Sequence, residues 1–507
     1  MNDMKQFVIS GDNIETLKSY PDNYFDSVVT DCPYGLGNEP NAQEMLKAWV
    51  DTGYLEVKGN GFMGKEWDSF VPQPIFWKEI YRVLKYGGHI VAFFGTRTYD
   101  WGCMAIRLGG FEIRDCIQWV YGSGFPKSHN ISKAIDKKKG AEREVVGTQK
   151  LMGTSQTLKG NNFNGDKNKE KTTEIPITAP STEQAKQWNG WGSALKPANE
   201  PIVLARKPLE KGLSIAENVM KWGTGGINVD ACRIGSELIK GQKAGQGFNN
   251  VKGFGVNTKL GNEEAKEYIS EDMNGRFPSN FIMSHHPNCE CEYFKYNGEE
   301  EINENWDCHE NCPIKILDEQ SGTLNQQGVS KSDNKSVWQN NFVGGGGVNA
   351  VERKLYLDKG GASRFFYVAK ASQWERSFGL DEFEEKIIEG RDKGQDERAI
   401  AYKTRPTPKK NIHPTVKPIK LMQYLIRLVT QPNGIVLDAF AGSGTTGIAC
   451  KIDGFNFVGL ELSEEYTEIA NARIQAFNEE LLLLDETIIY KNREEKDDTD
   501  YEQLSLF

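Results

Sequence analysis

No stretch of this chain stays apolar long enough to cross a bilayer, which takes about 20 residues. The opening residues, MNDMKQFVIS, lack the basic-then-apolar pattern of an export leader, so a cytoplasmic location is expected. No regular repeat runs through the 507 residues. Disulfides are not expected either: nine cysteines in an unexported chain read as thiols or metal ligands. An excess of basic charge is missing too. The formal net charge is −10, at first sight unsuited to nucleic acid. That charge is unevenly placed. Residues 479–507 alone carry −7, whereas residues 386–420 carry +6. Local patches decide whether a phosphate backbone can bind, so nucleic acid is not excluded. A solvated basic loop would look the same.

What is present is α/β patterning at both ends. In the first 121 residues, QFVIS, FDSVVT, HIVAFFG and FEIRDCIQWVYG read as strands. PIFWKEIYRVLK reads as a helix that a Gly-Gly pair stops. Residues 417–484 repeat the alternation: helix KPIKLMQYLIRLVT, strand GIVLDAF, a Gly-rich turn, a helix to about Asp453, strand FNFVGLEL, and a long helix. Strands alternating with helices predict a doubly wound parallel sheet. The middle differs. GNNFNGDKNKEK, GQKAGQGFNNVKGFGVN and NNFVGGGGVN are loop-like, although EPIVLARKP and ASRFFYVAKAS look ordered. The expected organisation is a catalytic half over 1–127, an insertion over 128–405, a cofactor half over 406–484 and an acidic, disordered tail over 485–507.

VLDAFAGSGTTG, residues 436–447, is a strand, a Gly-rich turn and a helix start, with Gly442, Gly444 and Gly447 in G-x-G-x-x-G spacing. Such glycines let a ligand approach the backbone, and the helix start offers N–H groups to an anion. Glu461 ends the next strand, where an acid can accept from ribose hydroxyls. That much suits a dinucleotide and S-adenosylmethionine equally. Asp438 before the loop suits an ammonium group, and the F-x-G-x-G-T-T form from Phe440 to Thr446, which includes Thr445, departs from the usual dinucleotide loop.

TDCPYG, residues 30–35, would by itself pass for a strand-to-turn junction. Together with DAFAGSGTTG (438–447), HPTVKP (413–418) and ISGDN (9–13), it resembles the β class of S-adenosylmethionine-dependent DNA amino-methyltransferases. Those enzymes place Asp-Pro-Pro-Tyr or Ser-Pro-Pro-Tyr early and the cofactor loop late. YGSGFPKS and GWGSALKPANEP extend the likeness into the middle and resemble a phage- or prophage-type subgroup. The resemblance implies a circularly permuted class I methyltransferase sheet carrying a large loop-rich insertion that recognises duplex DNA. It implies cofactor contacts at Asp12, Asn13, His413, Thr415, Lys417, Asp438, Phe440, Gly442, Gly444, Thr445 and Glu461. It implies a reaction centre at Asp31, Cys32, Pro33 and Tyr34.

The implied chemistry fits these residue types. An exocyclic amine is a poor nucleophile because its lone pair is delocalised. Asp31 and a backbone carbonyl of Cys32 or Pro33 can accept its two hydrogens and aim the lone pair at a sulfonium methyl. Tyr34 can stack on a base flipped from the duplex. Cys32 stands where the family has Pro. Methyl transfer to an amine needs no thiol, so its side chain is not an obvious reactant. Within the family Asp rather than Ser at position 31 favours adenine N6, with cytosine N4 the runner-up. A methyltransferase acting on RNA or protein, an inactive DNA-binding protein on the same fold, and a nicotinamide oxidoreductase are the rival readings.

Two further features lie outside that chemistry. Cys289, Cys291, Cys308 and Cys312 fall within 24 residues, with His285, His286 and His309 nearby. They suggest a structural zinc site, held by four Cys or by His and three Cys. The final QLSLF, Gln503–Phe507, resembles the peptide that docks on the bacterial sliding clamp, with Leu504, Leu506 and Phe507 as apolar anchors.

Overall fold

The computed structural model describes residues 6–37, 39–57, 68–122, 128–150, 174–239, 273–286, 289–295, 302–322, 324–325, 359–368, 373–386 and 410–477. The three glycine- and asparagine-rich stretches, most of the basic stretch 386–420, the acidic tail and Gln503–Phe507 lie outside the described residues. The chain divides into two compact units. The larger comprises Met1–Asn228, Asn280–Pro313 and Val368–Phe507; the smaller comprises Val229–Ser279 and Ile314–Tyr367.

The larger unit is built on one mixed sheet. Eight strands belong wholly to it: β1 (Gln6–Ser10), β2 (Phe25–Thr30), β3 (Leu84–Phe93), β4 (Glu112–Val120), β5 (Asn199–Arg206), β6 (Phe281–Met283), β7 (Ile435–Asp438) and β8 (Asn456–Glu461). Their order across the sheet is β1-β8-β7-β2-β3-β5-β4-β6. The run from β1 to β3 is parallel throughout. β5 is antiparallel to both its neighbours, β3 and β4. A wholly parallel sheet is therefore not what forms. EPIVLARKP, which the sequence placed inside the insertion, fills the gap between β3 and β4, so residue 128 marks no boundary.

Burial explains the strand sequences. All six residues of β2 are buried, as expected for a central strand covered on both faces. Val28, Ile90, Ala92, Val203 and Ala205 join one core with Phe76, Trp77 and Ile80 of helix α1 (Pro74–Val83) and Ala105 and Ile106 of helix α2 (Tyr99–Leu108). The alternate residues Val29, Val91, Ile202, Leu204 and Val436 are buried as well. They belong to the opposite face, following the two-residue period of a strand. Helices α3 (Ile419–Val429), α4 (Thr445–Asp453) and α5 (Glu464–Ala476) respectively precede, connect and follow the last two strands. A side chain added at Gly447 of α4 would strike the Phe457 ring of β8 at 2.7 Å, so α4 and β8 approach closely.

The Gly-Gly pair plays a different part from the one expected. α1 ends at Val83, and Gly87 and Gly88 lie within β3. There the pairing of β2 with β3 jumps from Phe25↔Leu84 to Ser27↔His89, so the glycines form a bulge. Gly87 takes a positive φ of 80° inside it.

After β8 and α5, the strand beside β8 is β1, the first in sequence. Asn471 of α5 closes the joint: its Oδ1 accepts from Val8 N and its Nδ2 donates to Val8 O, each at 2.9 Å. That is the connectivity of a circularly permuted class I methyltransferase sheet. In the smaller unit, Ile234–Ile239 pairs antiparallel with Met273–Arg276. The Asp318 carboxylate there binds the Ser363 N–H and hydroxyl at 2.7 and 2.6 Å. Among the described residues, no helix is long and apolar enough to cross a membrane.

Candidate active site

In a parallel sheet a ligand site forms beyond the carboxyl ends of the strands, where the chain order switches direction. Here that point lies between β7 and β2. Asp438 ends β7, and Thr30 ends β2 immediately before Asp31. The Thr30 hydroxyl donates to Asp438 Oδ1 at 2.6 Å, the Thr446 hydroxyl to Oδ2 at 2.5 Å, and Phe440 N to Oδ1 at 3.1 Å. The sequence assigned Asp438 to an ammonium group. The structure instead turns the carboxylate inward, 2% exposed, where it ties the Gly-rich turn to the DCPY strand. Burial raises its pKa to about 6 against the pull of those three hydrogen bonds.

The Gly-rich turn is shaped by close approach. Gly442 has φ +52°, and a Cβ there would lie 2.8 Å from His413 Nε2. Gly444 has φ +80° and is the N-cap of α4, with Ala470 backbone 3.0 Å from where a Cβ would stand. Only glycine fits either position. Glu461, at the end of β8, accepts from Gly442 N and from Ser463 N, each at 2.9 Å. Burial holds its pKa above the ordinary carboxylate value. Asp12 caps the short helix Asn13–Leu17, and Asn13 Nδ2 donates to Ala439 O at 3.2 Å. Arg473 of α5, wholly buried, reaches the turn from below and donates to the Ser443 carbonyl and hydroxyl. Sequence reasoning missed it because its nearest signal, a lone Arg in an ordinary helix, has many other uses.

HPTVKP spans from this turn to the reaction centre. At one end the His413 ring lies over Gly442, its Nδ1 donating to Thr415 O at 2.5 Å. Burial lowers the imidazole pKa to about 4, so it is neutral at pH 7. At the other end Lys417 is buried and donates to Asp31 Oδ2 at 2.7 Å and to the Tyr34 hydroxyl at 3.1 Å. It also lies 3.2 Å from Glu200 Oε2. The sequence grouped Lys417 with the cofactor residues; its described partners are those of the reaction centre. Burial disfavours its ammonium, but Asp31 and Glu200 overcome that and hold its pKa above the ordinary value.

Tyr34 offers its hydroxyl proton to Asp31 Oδ1 at 3.0 Å and Glu200 Oε2 at 2.5 Å. Burial and these two carboxylates hold its pKa far above the usual range, so it remains a donor. Asp31, Tyr34, Glu200 and Lys417 thus form one charged cluster. Glu200 is the second residue of β5, and nothing local in PANEP separates it from a surface acid. The loop itself is pinned by Asp68: Oδ1 accepts from Tyr34 N at 2.8 Å and Gly35 N at 2.9 Å. Asp68 lies beyond 33 intervening residues, and sequence reasoning missed it too.

Cys32 departs from the other three. Its thiol is 2% exposed, joins the apolar core and donates to Phe93 O at 3.1 Å. Burial raises its pKa well above the ordinary thiol value, so it is no nucleophile. Pro33 beside it is also buried. The side chain of Cys291 lies outside the described residues.

The glycine cradle, the strand-end acid Glu461 and the Asn13 edge fit an adenosine-bearing ligand, S-adenosylmethionine among them. The model of the family described as DNA methylase, covering N6 and N4 methyltransferases, matches residues 25–472. A putative methylase, YubD, of Escherichia coli (strain K12) is 47% identical over 64 residues, 13% of this chain and 28% of that protein. Type II methyltransferase M2.DpnII of Streptococcus pneumoniae is 43% identical over 67 residues, 13% of this chain and 25% of that protein. The matched stretch spans about a quarter of each relative. Among solved structures, the M1.HpyAVI–SAM complex is 13% identical with TM-score 0.30, covering 92% of this chain and 98% of that one. PvuII DNA methyltransferase, named as cytosine-N4-specific, is 12% identical with TM-score 0.35, covering 95% and 91%. With its model matched from residue 25 to residue 472, the chain belongs to the DNA methylase family of N6 and N4 amino-methyltransferases.

Proposed function

We propose that this protein methylates the exocyclic N6 amine of an adenine flipped out of duplex DNA, using S-adenosylmethionine. The observation that carries the proposal is the 2.6 Å bond from Thr30 to Asp438, which sets the DCPY reaction centre against the Gly-rich cradle. When bound, the cofactor supplies an electrophilic methyl group on a sulfonium sulfur. The protein's part is alignment, which can supply most of the rate. Asp31 and a backbone carbonyl of Cys32 or Pro33 accept the two hydrogens of the incoming amine, Lys417 balances the charge of Asp31 and Glu200, and Tyr34 offers its ring face to the base. Asp68 fixes the backbone that carries Tyr34. Asp at position 31, which the family resemblance links to adenine, supports N6 over cytosine N4.

The test is transfer of labelled methyl groups to duplex DNA, RNA and protein in parallel, followed by nucleoside analysis. N6-methyladenine in DNA is expected. Asp31→Ala should reduce the rate by more than ~10³-fold while cofactor affinity stays within a few-fold. Label in N4-methylcytosine would overturn the choice of base. Label in RNA or protein but not DNA would overturn the DNA reading.

A further inference from the structure

Outside the reaction centre, a second group of chemically potent side chains converges in the larger unit. His285, Cys289, Cys308 and Cys312 present one ligand atom each, and all four atoms lie within 4.8 Å of one another. His285 Nδ1 is 3.3 Å from Cys308 Sγ and 3.5 Å from Cys312 Sγ. With Zn–N of about 2.0 Å and Zn–S of about 2.3 Å, tetrahedral zinc sets N···S near ~3.5 Å and S···S near ~3.8 Å. The two His285 distances match that N···S spacing, and the remaining pairs lie within 4.8 Å, close enough for one ion to draw the four atoms together.

The sequence builds the shell symmetrically. Glu290–Lys295 and Ile302–Asp307 form an antiparallel hairpin whose first pair is Glu290↔Asp307. Cys289 and Cys308 flank that pair. A ligand sits four residues outward on each side, His285 before and Cys312 after. On each side a backbone bond ties the two ends of the step, Cys289 N donating to His286 O and Cys312 N to His309 O, both at 2.9 Å. The His285 ring is stacked on Trp306 with centroids 3.8 Å apart, which fixes its orientation. His285, Cys289 and Cys312 are buried and Cys308 is half-buried.

We propose that these four residues bind one structural Zn²⁺ as a Cys₃His site, with Cys291 not a ligand. All four positions are filled by protein, which leaves none open for hydrolytic or Lewis-acid chemistry. The site braces the wall of the reaction centre. Ser284, the residue before His285, donates its N–H to Val120 O at 2.9 Å and accepts from Trp119 Nε1 at 2.7 Å. The Trp119 ring in turn lies 5.9 Å from Lys417 Nζ. A metal that fixes His285 therefore fixes the end of β4 against the Asp31–Glu200–Lys417 cluster.

The experiment is elemental analysis of the full-length protein made in zinc-supplemented medium, with variants and a cobalt exchange. About one zinc per chain is expected. Cys308→Ala should fall below about a tenth of that, whereas Cys291→Ser should keep it. Cobalt-exchanged protein should show tetrahedral d–d bands and thiolate charge transfer. His285→Cys should keep the metal and increase that charge transfer. Absence of zinc from the wild type overturns the site. Loss of zinc in Cys291→Ser together with its retention in Cys308→Ala overturns the ligand set. Neither readout depends on methyl transfer, so this test and the test of function fail separately.

Discussion

Lys417 is the residue on which the reaction centre turns. It lies between the carboxylates of Asp31 and Glu200, at 2.7 and 3.2 Å, and all three side chains are largely buried. Removing its charge leaves two carboxylates facing each other. Lys417→Met should therefore cost about 3–5 kcal/mol of stability, as breaking a buried pair does. It should also slow single-turnover methyl transfer by ~10²–10³-fold. A variant that loses stability but keeps its single-turnover rate within a few-fold of wild type would show that Lys417 acts only structurally. Cys32 is the counter-case. Its thiol already belongs to the core, so Cys32→Pro should methylate within about tenfold of wild type, measured alongside Asp31→Ala. At this scale the sequence pointed to residues whose motif suggests a chemistry, Asp31, Tyr34, Glu461 and the glycines of the turn, and the fold brings them to one end of the sheet. It missed Glu200, Asp68 and Arg473, because a lone acid or base carries no local sign of what it will face.

At the scale of elements, legibility followed burial. FDSVVT and FNFVGLEL became β2 and β8 because an apolar run covered on both faces has few alternatives. The antiparallel insertion of β5 between β3 and β4 was not legible, since register between residues 79 or more apart in sequence, as at Val120↔Asn199, leaves no local pattern. Nor was the Gly-Gly bulge in β3, because the same dipeptide stops helices as readily. The junction of β1 with the rest of the sheet makes a separate prediction. β1 lies at the edge, where backbone groups lack a neighbouring strand, and Asn471 supplies the missing partners at Val8. Asn471→Ala should cost about 1–3 kcal/mol for two lost hydrogen bonds. Hydrogen exchange should show faster exchange at Val8 and unchanged exchange in β2 and β3. Uniform acceleration across the sheet would mean that Asn471 supports the whole fold and not the joint alone.

For the whole molecule, the site is a long-range construction, and its stability carries the cost. Asp438 is a carboxylate held where burial makes ionisation unfavourable, with its pKa raised to about 6 from 3.8. Between those values the folded chain holds a proton there that the unfolded chain has released. The contribution is therefore favourable at low pH and is lost as pH rises through about 6, a swing of ~3 kcal/mol. His413, whose pKa is lowered to about 4 from 6.5, tilts the other way, because its folded form refuses a proton that the unfolded form accepts. The two opposing slopes overlap between pH 4 and 6, so the stability profile of the wild type alone cannot separate them. Comparison with Asp438→Asn does, since His413 and the remaining carboxylates are common to both proteins. Urea unfolding of the pair should show the wild type's stability relative to the variant falling as pH rises from 4 to 7.5, by ~2–3 kcal/mol. A relative stability that instead rises with pH would mean that the hydrogen bonds from Thr30, Thr446 and Phe440 outweigh burial. Asp438 would then be a stabilising carboxylate, and the bond joining the Gly-rich turn to DCPY would strengthen the fold at neutral pH.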